Sequence, residues 1–540
     1  MDFLVTKDDD ANFIRDHEKQ KIEIEERLLH SKHEIEKEDT EPATFEDAIK
    51  ATGFGKFNVI LTLAMIFPSM AEIFEVVSLS YVLPIAHCDL NLTLNDKGML
   101  NAMSFAGMVT SALFWGRVCD TLGRKNVIVY GYICNGFLAV IVSLTTNITA
   151  LSIAKFLGGL IINGPYSASV SHLSEFHSSK YRARVQIVRG IMLSSSNIIL
   201  PLMAWGILPR KIDFSPFGII DYHSWNIYLM ICALPPIISG IIYFFMPESP
   251  KFLMTIGKNK HALEIFRKVY KINTGKPDHT FPIKRLVRET YCDEEKNIDR
   301  TSVNVIREGL NQMKPFLNSP HISRIIIICT NAFLLTMSMN LVKLWLPQIF
   351  QASSDYELNH GSNESSDVCS ILRELRTTNV TKVEDCKVNL DNTSVYVNSM
   401  IVGIVRVGMF SLAGTLVNLL GKKTLTLILS FASGSFCSAV YFSPNPLAVL
   451  ILYALHLSLG CVSDNLLTTT TLELFPTTLR TSALCLHLMF GRIGTVVGNV
   501  ILPQLLLIGC APPIFFLGSI VFVSAILTTL YPSTENKPLI

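Results

Sequence analysis

The chain has 540 residues, of which 49% are hydrophobic and only 17% are charged, and its mean hydropathy is +0.39. The apolar residues come in long runs, so the composition excludes an ordinary soluble protein and predicts a polytopic membrane protein. The net charge of +2 gives no bulk field that would attract an acidic partner, and we expect no nucleic acid among the partners.

A charged segment precedes the first apolar run. Residues 1–44 are rich in Glu and Lys and poor in aromatic residues, which is typical of a disordered or transiently helical cytosolic tail. The run that starts near residue 57 is too long for the hydrophobic part of a signal peptide, so we expect no secretory signal.

Apolar stretches of roughly 20 residues, the length that crosses a bilayer as a helix, occur twelve times. We therefore predict an all-α membrane protein with twelve transmembrane helices. Polar residues, Gly and Pro interrupt the fifth and eleventh spans, which membrane helices tolerate where neighbours satisfy the backbone. The spans lie near 57–84, 98–118, 126–146, 150–174, 184–208, 225–246, 323–349, 395–419, 423–443, 446–472, 481–508 and 512–531.

The distribution of Lys and Arg predicts the topology. Basic residues are concentrated in the loops after the second, fourth, sixth, eighth and tenth spans, whereas the short loops 147–149, 444–445 and 509–511 have none. By the positive-inside rule, both termini are cytosolic. N-glycosylation sequons all fall in loops that this topology places outside. They begin at Asn91, Asn147, Asn363, Asn379 and Asn392.

Three cysteines, Cys88, Cys369 and Cys386, lie on that oxidising side. A disulfide between Cys369 and Cys386 would close the long outer loop 351–394. Free thiols are the alternative, because a sequence does not fix connectivity.

The chain contains an internal repeat. GRVCDTLGRK, which begins at Gly116, and GTLVNLLGKK, which begins at Gly414, are offset by 298 residues. The same offset relates two later loops, which carry Glu175 with Arg182 and Glu473 with Arg480. Agreement between two loops indicates duplicated six-helix halves. We predict an N-terminal half at 45–247, a cytosolic linker with short helices at 248–322, a C-terminal half at 323–532 and a tail at 533–540.

These motifs resemble a known family. GRVCDTLGRK is similar to the loop signature of the major facilitator superfamily, and PESPKFL at 247–253 is similar to the stretch after the sixth span in its sugar-porter and organic-ion branches. MAEIFEVVSLSYVLPIAHCDL, YHSWNIYLMICALPP and LELFPTTLRTSA resemble the synaptic vesicle glycoprotein 2 family and its relatives. The outer loop is far shorter than the luminal domain of those glycoproteins, and YPSTENKPL is a degraded form of the family's tail.

The resemblance implies a cytosolic gating network. In the superfamily, the Asp and basic residues of the repeated loops latch the two halves together with the Glu and Arg of the later loops. The corresponding residues here are Gly116, Asp120, Gly123, Arg124, Lys125, Glu175, Arg182, Glu473 and Arg480. The second copy has Asn418 in place of Asp120, which predicts a weaker latch in the C-terminal half. Alternatively, these charges only set the orientation.

The first span contains two carboxyls, Glu72 and Glu75, where each charge costs on the order of a few kcal/mol or more. Three residues apart, they project from one helix face. Lys155 in the fourth span lies at a similar depth to Glu75, so the two could form a salt bridge. Two carboxyls this close should not both ionise easily, so one could exchange a proton during transport. The structural alternative is that these groups only tie helices together.

Other polar residues inside the spans are weaker candidates for the solute pathway, which the first, fourth, seventh and tenth helices line in the superfamily. They are Asn331, Asn340, Asp464 and Asn465. Arg406 and Arg492 lie mid-span and need partners, and Lys343 is predicted to extend to the outer interface. His456 is predicted to be a core histidine.

We find no phosphate-binding loop and no zinc-ligand spacing, so we expect no ATP-driven transport, metal, cofactor or enzymatic activity. The sequence predicts a monomeric transporter of a small polar or cationic organic solute, working by alternating access, either facilitative or as a proton symporter. We place it in the plasma membrane or a vesicle membrane. The alternatives are a sugar porter and a non-transporting vesicle glycoprotein with a trafficking or interaction role.

Overall fold

The computed structural model describes residues 42–210, 212, 222–287, 321–360, 367–377, 392–475 and 479–532. The side chains of Leu113, Arg117, Asp120, Ala183, Asn359, Asn418 and Thr481 are not described. The predicted tail 533–540, most of the predicted tail 1–44 and the linker after residue 287 therefore lie outside the described residues.

Long helices occupy all twelve predicted spans. Eleven of them are long and apolar enough to cross a membrane, and the remaining one, Leu94–Leu122, lies at the second span. In chain order the spans are Lys56–Val82, Leu94–Leu122, Arg124–Ser143, Ile148–Glu175, Ser179–Ile207, Ser224–Phe244, His321–His360, Ser394–Leu420, Lys422–Phe442, Pro446–Leu474, Arg480–Ile508 and Ala511–Leu530.

The fifth and eleventh spans are continuous helices despite their mixed composition, with Pro201 and Pro503 inside them. The seventh span is longer than predicted, because it continues past Pro347 to His360. Gln351 donates a hydrogen bond to Asp355 one turn later, at 3.0 Å, which supports this extension. The first part of the predicted outer loop is therefore helix.

The internal repeat is visible in the backbone. Gly123 ends the second span with φ +88°, and Gly421 ends the eighth span with φ +77°. These two glycines are 298 residues apart in the sequence and both begin the next span directly. Only glycine adopts such a conformation without strain. The two halves therefore use a glycine of the same backbone conformation to turn between equivalent helices.

Contacts divide the chain into two compact units. The larger, which we call the spanning unit, comprises the described residues of 60–174, 182–247 and 298–540. Within it, the second and eleventh spans pack extensively and join the two halves. At the predicted outer end of this contact, the Gln504 amide donates to Asn95 Oδ1 at 3.0 Å. The fifth and eighth spans also meet, at Ile198 and Gly403.

The smaller, the linker unit, comprises the described residues of 42–59, 175–181 and 248–287. Its helices are Phe45–Ala51, Pro250–Thr255 and Asn259–Thr274. The helix Asn259–Thr274 buries a stripe of apolar residues spaced three or four apart, which is the face expected of a helix packed on one side. These residues are Ala262, Ile265, Phe266, Val269 and Tyr270.

Candidate functional site

Glu75 forms the ion pair that the sequence allowed. Its Oε1 lies 2.9 Å from Lys155 Nζ, and the two side chains are only 6% and 5% exposed. Lys155 also donates to the Glu75 backbone carbonyl at 2.6 Å, and the Ser104 hydroxyl donates to Glu75 Oε1 at 3.1 Å. These contacts join the first, second and fourth spans, so the pair lies inside the N-terminal half.

Glu72 has different surroundings from Glu75. Its Oε2 is buried without a hydrogen-bond partner among the described residues. Its charge interacts with Arg189 of the fifth span, Lys343 of the seventh and Arg492 of the eleventh. Glu72 therefore lies in the field of cations from both halves and of Glu75, while Glu75 alone is paired with Lys155.

Two arginines beside Glu72 are held by the fourth span. Arg492 donates to Asn163 Oδ1 at 2.7 Å, a contact between residues of opposite halves. Arg189 donates to the Tyr166 hydroxyl at 3.0 Å. Arg189 was not among the residues predicted from the sequence, although a basic residue inside an apolar run was a signal that could have identified it.

Lys343 was predicted to extend to the outer interface. It lines a cavity together with Arg406 of the eighth span and Tyr81 of the first span. The prediction treated Lys343 as a free side chain near the end of the seventh span, whereas two neighbouring spans contribute side chains around it.

The remaining pathway candidates separate into two groups. Asp464 accepts a hydrogen bond from Thr336 at 3.3 Å and lies 3.9 Å from His487 Nε2, and Asn340 donates to Thr495 at 2.9 Å. These contacts link the seventh, tenth and eleventh spans. Asn331 instead donates to Thr528 of the twelfth span, and Asn465 is exposed and donates to its own helix. Neither Asn331 nor Asn465 is hydrogen-bonded to a charged side chain among the described residues.

The predicted cytosolic residues make several local contacts. Glu473 forms an ion pair with Lys422. Arginine side chains bond to nearby backbone carbonyls at the ends of the spans: Arg124 to Cys119, Arg182 to Ser174 and Arg480 to Phe475. In the linker unit, Glu175 accepts a hydrogen bond from Ser249, whose hydroxyl also caps the helix Pro250–Thr255. The side chains of Asp120 and Asn418 lie outside the described set, so the unequal latch stays a prediction.

Repeat-related lysines also make equivalent contacts. Lys125 lies 5.7 Å from the Phe244 ring, at the end of the sixth span. Its counterpart Lys423 lies 5.7 Å from the ring of Tyr531, just after the twelfth span. Each lysine thus stacks on an aromatic ring at the end of the last helix in its own half.

The disulfide at Cys369 differs from the prediction. Cys369 is bonded to Cys510 rather than to Cys386, with the two Cα atoms 5.2 Å apart. Cys369 is the second residue of the helix Val368–Thr377, which packs against the seventh span, and Cys510 lies in the turn between the eleventh and twelfth spans. Cys88 is also disulfide-bonded. Cys386 lies outside the described residues.

We expect N-glycans at Asn91 and Asn147 but not at Asn392. The first two are exposed, whereas Asn392 is 8% exposed and donates to Gln351 at 3.3 Å. Glycopeptide mass spectrometry of protein from a secretory cell line checks this, with Asn91→Gln and Asn147→Gln as shift controls. Full occupancy at Asn392 would contradict the burial. The sequons at Asn363 and Asn379 lie outside the described residues.

Comparison with known proteins confirms the family resemblance. A family model described as Major Facilitator Superfamily matches residues 54–498. Synaptic vesicle glycoprotein 2B of Rattus norvegicus is 26% identical over 353 residues, which cover 63% of this chain and 50% of the relative. Synaptic vesicle glycoprotein 2C of Mus musculus is 29% identical over 254 residues, covering 46% and 35%. The chain thus spans half the length or less of these curated relatives.

Solved structures share the fold at low sequence identity. The xylose transporter XylE from E. coli, in an inward-open conformation, matches with a TM-score of 0.63 at 14% identity, over 89% of this chain and 98% of that chain. The nucleoside transporter NupG matches with a TM-score of 0.53 at 12% identity, over 87% and 97%. These matches confirm the predicted twelve-helix fold.

Proposed function

Because the chain belongs to the major facilitator superfamily, we propose that it carries a small polar solute across a membrane by alternating access, with Glu72 at the centre of the pathway. The family and fold point to transport rather than catalysis. The observation that carries the proposal is the buried Glu72 carboxyl, whose Oε2 has no hydrogen-bond partner among the described residues. It lies in the field of Arg492, which is hydrogen-bonded across the halves to Asn163. A group placed between two halves that rock against each other changes its surroundings in every cycle.

We assign the proton-carrying role to Glu72 rather than to Glu75. Glu75 is occupied by Lys155 and Ser104, whereas Glu72 Oε2 has no hydrogen-bond partner among the described residues. An ionisable group in a span with an unsatisfied oxygen is a strong candidate for a proton relay. The charged and phenolic groups whose fields reach it are Glu75, Tyr132, Tyr166, Arg189, Lys343 and Arg492.

The remaining assignments follow the topology prediction. Both termini would lie in the cytosol, and the ion pair between Lys422 and Glu473 would belong to the cytosolic gate. The vesicle glycoproteins among the relatives support a vesicle membrane, with the plasma membrane as the other location. The sites at Asn91 and Asn147 would then lie in the lumen or outside the cell.

Uptake into proteoliposomes tests the proposal. Purified protein is reconstituted and offered organic anions, organic cations and sugars, with and without a pH gradient. We expect Glu72→Gln to abolish stimulation by the gradient, because an amide cannot take up and release a proton. Glu264→Gln is the matched control, since Glu264 is a 68% exposed carboxyl in the linker unit.

Three outcomes decide between the hypotheses. Gradient-driven uptake that survives Glu72→Gln would remove the proton role from this residue. Uptake of sugars alone would favour a sugar porter. The absence of flux for every solute, with correctly folded protein, would favour a non-transporting glycoprotein.

A further inference from the structure

The interior of the spans carries an excess of positive charge among the described side chains. Glu75 and Lys155 neutralise each other. The other charged side chains that interact with one another inside the spans form what we call the central cluster. Its carboxylates are Glu72 and Asp464, and its cations are Arg189, Lys343, Arg406 and Arg492. Two carboxylates therefore face four cations. The acidic pair of the first span had suggested a cationic solute, but the excess of positive charge no longer supports it.

Two of these cations share one cavity. Lys343 and Arg406 line it together with Tyr81, Asn197 and Ser399, and its lining contains no carboxylate. Arg406 is 8% exposed, and its Nε has no hydrogen-bond partner in the part of the chain that the structure describes. Lys343 and Arg406 act on each other as like charges. Because burying unpaired charges is unfavourable, this cavity favours an anion that would pair with both.

We propose that Lys343 and Arg406 bind the carboxylate of a small organic anion and that this anion is the transported solute. The inference rests on the proposed carrier function. The Arg406 guanidinium presents a planar set of donors that matches a carboxylate, and Lys343 adds a second charge from the neighbouring span. The hydroxyls of Tyr81 and Ser399 are neutral donors in the same lining.

The size of the cavity fits the charged end of such a solute. The cavity volume is ≈ 30 Å³, room for about one or two water-sized groups. A carboxylate group is of that order, whereas a whole organic anion needs the lining helices to separate. The first and fifth spans belong to one half and the seventh and eighth to the other, so rocking of the halves would open the cavity.

Ligand-induced stabilisation of the purified full-length protein tests this without any need for flux. The midpoint of thermal unfolding, Tm, is measured in detergent with sodium succinate, sodium benzoate, sodium phosphate, choline chloride or glucose at matched ionic strength. We expect at least one of the two carboxylates to raise Tm saturably, as a ligand of the folded state does. Choline and glucose should leave Tm unchanged.

Variants locate the site. Arg406→Gln and Lys343→Gln are each expected to weaken the apparent affinity by about tenfold or more, because each truncates one partner of a buried charge pair. Arg406→Lys keeps the charge and should fall between Arg406→Gln and the unmodified chain, which covers the case in which Arg406→Gln does not fold. Lys97→Gln is the matched control, since Lys97 is a 4% exposed lysine of the second span outside this cavity.

The results separate failure of the anion site from failure of the carrier function. A saturable shift with choline or phosphate only, or with neither carboxylate, would overturn the carboxylate site. A carboxylate shift that persists unchanged in both glutamine variants would overturn the assignment to Lys343 and Arg406. Carboxylate binding without any flux in proteoliposomes would leave the site standing and overturn the carrier. Flux of a cation without carboxylate binding would overturn the anion site and leave the carrier function standing.

Discussion

Replacing Lys155 with methionine, with Glu75 unchanged, is expected to destabilise the folded protein by about 3–5 kcal/mol, the cost of removing one partner of a buried ion pair. The Glu75 side chain is 6% exposed. Lys155 donates two hydrogen bonds to Glu75, one to the carboxylate and one to the backbone carbonyl. Without the lysine, Ser104 is the one donor to Oε1 that remains among the described residues. The measurement is denaturation of the purified protein in detergent, followed by tryptophan fluorescence.

A double variant provides the control. Glu75→Gln combined with Lys155→Met removes both charges at similar volume and should recover most of the lost stability, because well-packed neutral groups often replace a buried ion pair at little cost. If the double variant is as unstable as Lys155→Met alone, the two side chains are not energetically coupled. If it is stable and still transports, the pair only ties helices together. Loss of uptake in a stable double variant would indicate a role in coupling.

Gly159→Ala in the fourth span is expected to prevent correct folding. A methyl group at this position would lie 1.9 Å from the backbone oxygen of Ser104, and one at Gly107 would lie 2.0 Å from the backbone oxygen of Phe156. The second and fourth spans therefore touch through their backbones, as helices with small residues at their interface do. Overpacking usually costs about 1–3 kcal/mol, and a clash with backbone on both sides leaves no rotamer that relieves it.

The readout for Gly159→Ala is the yield of monodisperse protein in size-exclusion chromatography, together with Tm. Gly206→Ala in the fifth span is the matched control, because a methyl group there meets no atom within 4 Å. The control should be neutral or slightly stabilising, since alanine is the better helix former. A normal yield and Tm for Gly159→Ala would show that these two spans are further apart than described.

The spans could be predicted from the sequence because hydrophobic length and loop charge act locally. The tenth span was expected at 446–472 and is Pro446–Leu474. The contact between Glu75 and Lys155 could also be predicted, because the rise per residue of a helix gives the approximate depth of each residue along its span. The histidine His456 was expected in the core, and it is fully buried between Ser338 and Ser433.

Other features depend on packing that no local pattern encodes. The partner of Cys369 is set by where the helix Val368–Thr377 lies against the seventh span, so residue spacing in the loop was a poor guide. Lys343 shares a cavity lining with Tyr81 of the first span and Arg406 of the eighth span, and a single sequence does not show which helices are neighbours. The different partners of Glu72 and Glu75 follow from which neighbours each side chain meets, although both project from the same helix.

The hydrogen bond between Asn95 and Gln504 joins the halves through two neutral amides. Dissolved ions screen exposed charges over a Debye length of about 8 Å at physiological ionic strength, but they leave a neutral hydrogen bond almost unchanged. At the opposite ends of the spans, the ion pair between Lys422 and Glu473 lies within the C-terminal half and does not join the two halves. Added salt would weaken that ion pair and spare the amide contact between the halves. The grip of the halves on each other at Asn95 and Gln504 would then be insensitive to the electrolyte around the protein.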